Sequence, residues 1–133
     1  MNEKKVLIIV GSESDEERVA PAFKVLEDAR VGYDFVVSSA HRDPERTATI
    51  AREASEKGYR VVIAGAGLAA ALPGAIAALT SLPVIGLPLD VGPLRGVDAL
   101  YAMVQLPSGC PVATVGIGNA KNAALLAIRI LNA

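Results

Sequence analysis

Apolar runs rich in β-branched residues recur at 6–10, 35–37, 60–64, 83–87 and 112–117, each followed by a glycine-rich or small polar turn. They predict five strands. The runs are continuous rather than alternating, as expected of strands covered on both faces, and covered strands are the mark of a parallel sheet. Helical stretches separate them. The first opens at Ser14 or Asp15 and sets Val19, Ala22, Phe23 and Leu26 on one stripe. The second opens with Asp43 as cap and Pro44 in its first turn, and Gly58 closes it. Three further helices are expected over 69–80, 97–105 and 119–131.

The resulting (βα)5 order predicts an α/β fold in three layers, α/β/α. With right-handed crossovers and helices on both faces, this is a flavodoxin-like, doubly wound, five-stranded parallel sheet of order 2-1-3-4-5. The chain has 133 residues and no linker or low-complexity tract, so residues 1–133 are expected to form one domain around one core. Segments 70–82 and 122–133 are apolar nearly all round. Helices of that kind bury more surface than one side of a sheet can cover, and self-association is the simplest remedy.

Composition narrows the partners. A hydrophobic content of 52% with 20% charged residues excludes a disordered chain, and no apolar run approaches the ~20 residues of a membrane span. A soluble protein without a membrane partner is expected. The amino-terminal apolar stretch runs directly into Gly11 and Ser12 without a signal-peptide cleavage site, which places the protein in the cytoplasm. Net charge is −1 and the basic residues are scattered, so the electrostatic footprint of a nucleic-acid binder is missing. A lone cysteine, Cys110, and a single histidine leave neither an internal disulfide nor a structural metal site to expect.

Candidate chemistry lies where the first three strands end, because ligands of open α/β sheets bind beyond the carboxyl ends of the strands at the point where strand order reverses. After the first strand comes Gly11-Ser12-Glu13-Ser14-Asp15, leading into a helix start whose unpaired N–H groups favour anions. Its hydroxyls suit a phosphate and the Asp15 carboxylate suits a sugar diol, although helix capping alone also accounts for such residues. After the second strand, Ser38-Ser39-Ala40-His41-Arg42-Asp43-Pro44 puts two hydroxyls, the only imidazole and a guanidinium beside the next helix. Arginine clamps phosphate through two N–H groups, and an imidazole with an unperturbed pKa near ~6.5 both gives and takes a proton at neutral pH. The alternative is a solvated loop that merely carries both side chains. After the third strand, the small residues 64–71 let the backbone approach a flat ligand, or equally serve tight helix-to-sheet packing.

Four motifs in one order carry a family resemblance: GSESD at 11–15, SAHR at 39–42, AGAGLAAALPG at 64–74, and the long run 96–127 from GVDALYAM to NAALLA. Together they resemble the aminoimidazole ribonucleotide carboxylases and N5-carboxyaminoimidazole ribonucleotide mutases of de novo purine synthesis. The resemblance implies a flavodoxin-like subunit assembled as a homo-octamer, a small-molecule ribonucleotide substrate and no metal or organic cofactor. It implies that Ser12, Ser39 and Arg42 hold the phosphate, Asp15 the ribose, and that His41 carries the proton. Ser14, Ala40, Gly67, Ala70 and Leu72 complete the expected binding set. The mutase branch usually has histidine where this chain has Ala71, while Arg42 and the retained Leu72-Pro73-Gly74 favour that branch. Many members also continue beyond the last helix into a tail that packs on a neighbour, so assembly or site closure is expected to differ here.

Two other classes compete. Direct carboxylation with carbon dioxide is the near alternative, and a degenerate or engineered scaffold that keeps the fold without activity is a further one. A receiver-like switch would need acids at the first and third strand ends, and the third ends here in Ala64-Gly65. A flavin carrier would need aromatic walls, and the chain has no Trp, two Phe and three Tyr, none in these loops.

Overall fold

Strand β1 (Lys4–Val10) is buried at every position from Val6 onward, with Val6, Ile8 and Val10 packed into one core cluster and Leu7 and Ile9 into another. Alternate residues of a strand face opposite sides, so a strand buried in two clusters has cover on both faces. The computed structural model describes residues 3–133, and the first two residues of the expected 1–133 unit lie outside them. Beside β1 run β2 (Gly32–Val37), β3 (Val61–Ala66), β4 (Val84–Pro88) and β5 (Ala113–Thr114), all parallel, in the order β2-β1-β3-β4-β5.

Helices α1 (Glu16–Asp28) and α5 (Ala120–Leu131) cover one face, through Val19, Ala22 and Leu26 and through Ala120, Ala123, Ala124 and Ala127. On the other face lie α2 (Pro44–Glu53), α3 (Leu72–Ala77) and α4 (Val97–Val104), which bury Ala51, Leu72, Ile76, Ala99 and Met103 against Leu7, Ile9, Val62 and Ala64. This is the three-layer α/β/α arrangement. Fully buried aliphatic side chains such as Ile8, Ile63 and Leu87 each contribute roughly 1.5–3 kcal/mol of transfer free energy.

Three elements differ from expectation. The third helix, expected over 69–80, is only Leu72–Ala77. Leu68 adopts φ +55° and the N–H of Ala71 bonds to the Ala69 carbonyl, so residues 68–71 form a bend rather than a helical turn. Strand β5 is two residues long. Beyond Thr114 the chain still bonds to β4 through Val115 N–H to the Gly86 carbonyl and Gly118 N–H to the Pro88 carbonyl, but it leaves the regular ladder. The ordered part of α2 ends at Glu53, and single turns continue to Gly58, whose φ of +95° ends them.

The apolar surface lies only partly where the sequence implied. In α3, Leu72, Pro73, Ile76 and Ala77 are buried, and in α5 only Leu125 is an exposed large hydrophobic residue. Leu94, Val97, Tyr101 and Val104 are instead exposed, spaced three and four apart along α4 and the turn before it. That spacing puts them on one face of the helix.

A buried hydroxyl relay ties α2 to the end of β2. Ser38 and Thr47 are each 3% exposed, with their hydroxyls 2.7 Å apart. Thr47 Oγ1 donates to the Ser39 carbonyl at 3.0 Å, which leaves the Ser38 hydroxyl to donate to Thr47. An Arg46 guanidinium N–H adds a bond to the Val37 carbonyl. Replacing Thr47 by valine keeps the volume but orphans the buried Ser38 hydroxyl, and urea unfolding of T47V should show a loss of about 1–3 kcal/mol. Adding Ser38→Ala removes the orphan, so the double variant should lose less than the sum of the two single ones; strict additivity would mean that the relay is not coupled.

Candidate active site

The register of the sheet brings three loops together. Val10 pairs with Val37 on one side and with Gly65 on the other, so β1, β2 and β3 end at one level. Strand order reverses between β1 and β3, and a crevice opens there.

In the first loop, Ser12 accepts from the Ser14 N–H at 3.3 Å, and the Ser12 and Ser14 hydroxyls lie 2.9 Å apart. Ser12 thereby caps a single 3-10 turn, Glu13–Asp15, which runs directly into α1. Asp15 stands at the capping position of α1 yet makes no capping bond. Its carboxylate, 12% exposed, instead accepts from Arg18 Nη1 at 3.0 Å. Capping therefore accounts for Ser12 and not for Asp15.

In the second loop the Ser39 Oγ accepts from the Arg42 N–H at 3.0 Å, which leaves its own O–H to donate elsewhere. Asp43 caps α2 by accepting from the Arg46 N–H at 3.3 Å. Ala40 packs against the core, and beyond it His41 and Arg42 are exposed. Neither the imidazole nor the Arg42 guanidinium has a hydrogen-bond partner among the described residues.

The third loop approaches the strand β4 end so closely that a Cβ on Gly67 would lie 2.0 Å from Val91 Cγ2. Only glycine fits there. Leu68 reaches over Gly92, where a Cβ would meet Leu68 Cδ2 at 2.3 Å. Ala70 and Leu72 are buried, while Ala71 is exposed.

Ser12, Ser14, Asp15, Ser39, Ala40, His41, Arg42, Gly67, Ala70 and Leu72 all line a single cavity of about 500 Å³. The expected binding set is thus brought to one place, with Ala71 beside it, whereas Ser38, the other hydroxyl of the second loop, is buried against Thr47 instead. Arg18, Leu68 and Val91 line the cavity too and were not anticipated. The i,i+3 spacing of Asp15 and Arg18 was a usable signal for the first, whereas Val91 follows β4 and nothing local marks it. Among the described residues, no group of three or more His, Cys, Asp or Glu is placed to hold a metal ion. The cavity joins two guanidinium groups, one imidazole, several hydroxyls and one carboxylate to an alanine-rich wall, a set suited to an anionic ligand with a flat ring.

The chain is 58% identical over 128 residues to the N5-carboxyaminoimidazole ribonucleotide mutase of Pyrococcus abyssi (strain GE5 / Orsay), covering 96% of this chain and 74% of that protein. It is 54% identical over 127 residues to the mutase of the same name from Saccharolobus solfataricus, covering 96% and 80% of the two chains. The crystal structure of Treponema denticola PurE superposes with a TM-score of 0.87 at 29% identity, covering 98% of this chain and 81% of that one. The AIR carboxylase family profile matches residues 5–133, and with relatives this similar over nearly its whole length, the chain belongs to the AIR carboxylase family.

Proposed function

We propose that this protein is an N5-carboxyaminoimidazole ribonucleotide mutase of purine biosynthesis, an isomerase that moves a carboxyl group from the exocyclic nitrogen of the substrate to ring carbon C4. The observation that carries the reading is the meeting of three strand-end loops around one imidazole, on a chain more than half identical to mutases over almost its entire length. Residues 1–133 act as one unit, in the cytoplasm, on a soluble ribonucleotide.

The roles follow from the donors each loop leaves uncommitted. The Ser39 hydroxyl, freed by the Arg42 N–H that occupies its lone pair, donates to the phosphate together with Ser12 and the Arg42 guanidinium. Ser14 supports Ser12, and Asp15 accepts from the ribose. Gly67, Ala70 and Leu72 form the wall against which the heterocycle lies, with Ala40 beneath the histidine loop.

His41 serves both halves of the reaction. As the N–CO2⁻ bond of the carbamate breaks, the electron pair stays on nitrogen and imidazolium His41 protonates it, releasing carbon dioxide and the aminoimidazole. C4 then attacks the carbon dioxide, forming the new C–C bond, and neutral His41 removes the C4 proton. One proton leaves His41 and one returns, so the cycle closes without a cofactor. Holding carbon dioxide beside C4 supplies proximity. With Ala71 where a second histidine stands in many mutases, the proton traffic falls on His41 alone.

The chain alone leaves the cavity open past His41 and Leu68, both exposed. We take the working form to be a homo-octamer, whose packing covers the apolar face of α4 and limits escape of the intermediate.

His41→Asn should lower kcat by about 10²–10⁴ while calorimetry finds the nucleotide bound as tightly as before; a fully active variant would eliminate the mechanism. Offered the carbamate nucleotide, the wild type should form the C4 carboxylate, and offered the aminoimidazole ribonucleotide with bicarbonate it should form little. The reverse preference would assign direct carboxylation, and inactivity with both would assign a scaffold. Light scattering should give the mass of eight chains, reduced by Val97→Glu with Tyr101→Glu; a monomeric wild type would refute the assembly.

A further inference from the structure

Cations are disfavoured at the start of a helix, where the backbone N–H groups carry partial positive charge. Helix α1 begins with Glu16 and Glu17, as that rule leads one to expect, and then has Arg18 in its first turn. The Arg18 side chain is 41% exposed, yet its guanidinium is turned back onto the loop. Nη1 donates to the Ser14 carbonyl at 3.0 Å and to Asp15 Oδ1 at 3.0 Å, and Arg18 lines the same cavity as His41.

Asp15 is unusual in a complementary way. It occupies the capping position without capping, its side chain is only 12% exposed, and its second oxygen, Oδ2, has no hydrogen-bond partner among the described residues. An almost buried carboxylate that neither caps nor saturates its lone pairs needs something to hold its rotamer and its charge. Arg18 does both. Because it is tied at the same time to the Ser14 carbonyl, it fixes the carboxylate relative to the loop that carries Ser12.

We propose that Arg18 is the positioning residue for Asp15, occupying Oδ1 so that Oδ2 remains as a preoriented acceptor for a sugar diol. The proposal rests on the ribonucleotide reading above and deepens it. Arg18 acts through Asp15 and takes no part in the proton transfers. Loss of Arg18 therefore lets the carboxylate turn back to cap α1 or change rotamer, and weakens binding of the sugar without slowing the bound substrate. An ion pair that served stability alone would affect neither.

The test compares Arg18→Gln and Arg18→Lys with wild type, by steady-state kinetics on the carbamate nucleotide and by calorimetry with aminoimidazole ribonucleotide and its 2′,3′-dideoxy form. Arg18→Gln should raise KM about ten-fold with kcat nearly unchanged, and Arg18→Lys should recover part of the loss. Wild type should lose about as much affinity for the dideoxy nucleotide, and the Gln variant should scarcely distinguish the two ligands. An unchanged KM, a fall confined to kcat, or a Gln variant that still prefers the diol as strongly as wild type would overturn the proposal. Should Arg18→Gln unfold, Arg18→Lys decides by the same ligand pair. The calorimetric arm stands without turnover, so a wild type that binds the nucleotide but isomerises nothing would refute the mutase reading and not this one.

Discussion

The site exists because three parallel strands stop at the same level. Val37, Val10 and Gly65 are neighbours across the sheet, and a parallel arrangement sends all their following loops out of one edge. Shifting β2 or β3 by one residue would turn every side chain of that strand to the other face, exchanging its members between the two core clusters. The hydrophobic core therefore enforces the register, and the register brings the loops together. The edge that carries the candidate site is in this sense a consequence of how Ile8, Ile9, Val62 and Ile63 are buried.

Each loop is then held by a different device. A serine cap sets the first, where Asp15 is left out of the capping scheme and joined to Arg18. The second hangs on the Ser38–Thr47 relay beneath it, a pair of buried polar groups tolerated because each finds a partner. Steric contact shapes the third: Gly67 admits Val91, and Gly92 admits Leu68. Leu68 is in the left-handed region, which costs a residue with a Cβ about 1–2 kcal/mol, and its side chain lies over Gly92. Rigid supports under an exposed imidazole fit a reaction in which one small molecule must be recaptured before it diffuses away.

Exposure follows a pattern of its own. The cavity is lined at its rim by His41, Arg42 and Leu68, while a stripe of Leu94, Val97, Tyr101 and Val104 stands uncovered along α4. An apolar stripe of that regularity is what an interface between copies requires. The homo-octamer proposed above would cover that stripe.

Much of this was legible in the residues alone, and the physical reasons differ by feature. Continuous apolar runs identify strands covered on both faces, which is enough for a parallel sheet and its order, since crossover geometry leaves few topologies. Ser12, Ser39, His41 and Arg42 were legible because each sits just past the end of such a run. Local pattern could not show that Asp15 would be turned from its cap toward Arg18, because both uses have the same spacing. Nor could it place Val91, which follows β4 and meets the third loop only in the folded chain, or shorten α3, which begins only after the bend at 68–71. It named the apolar helices only in part: α5 does keep Leu125 exposed while its alanines lie against the sheet, but α3 is covered and the exposed stripe is on α4. Periodicity reports which elements form; which face of each is left to solvent depends on neighbours distant in the chain, and only their packing decides it.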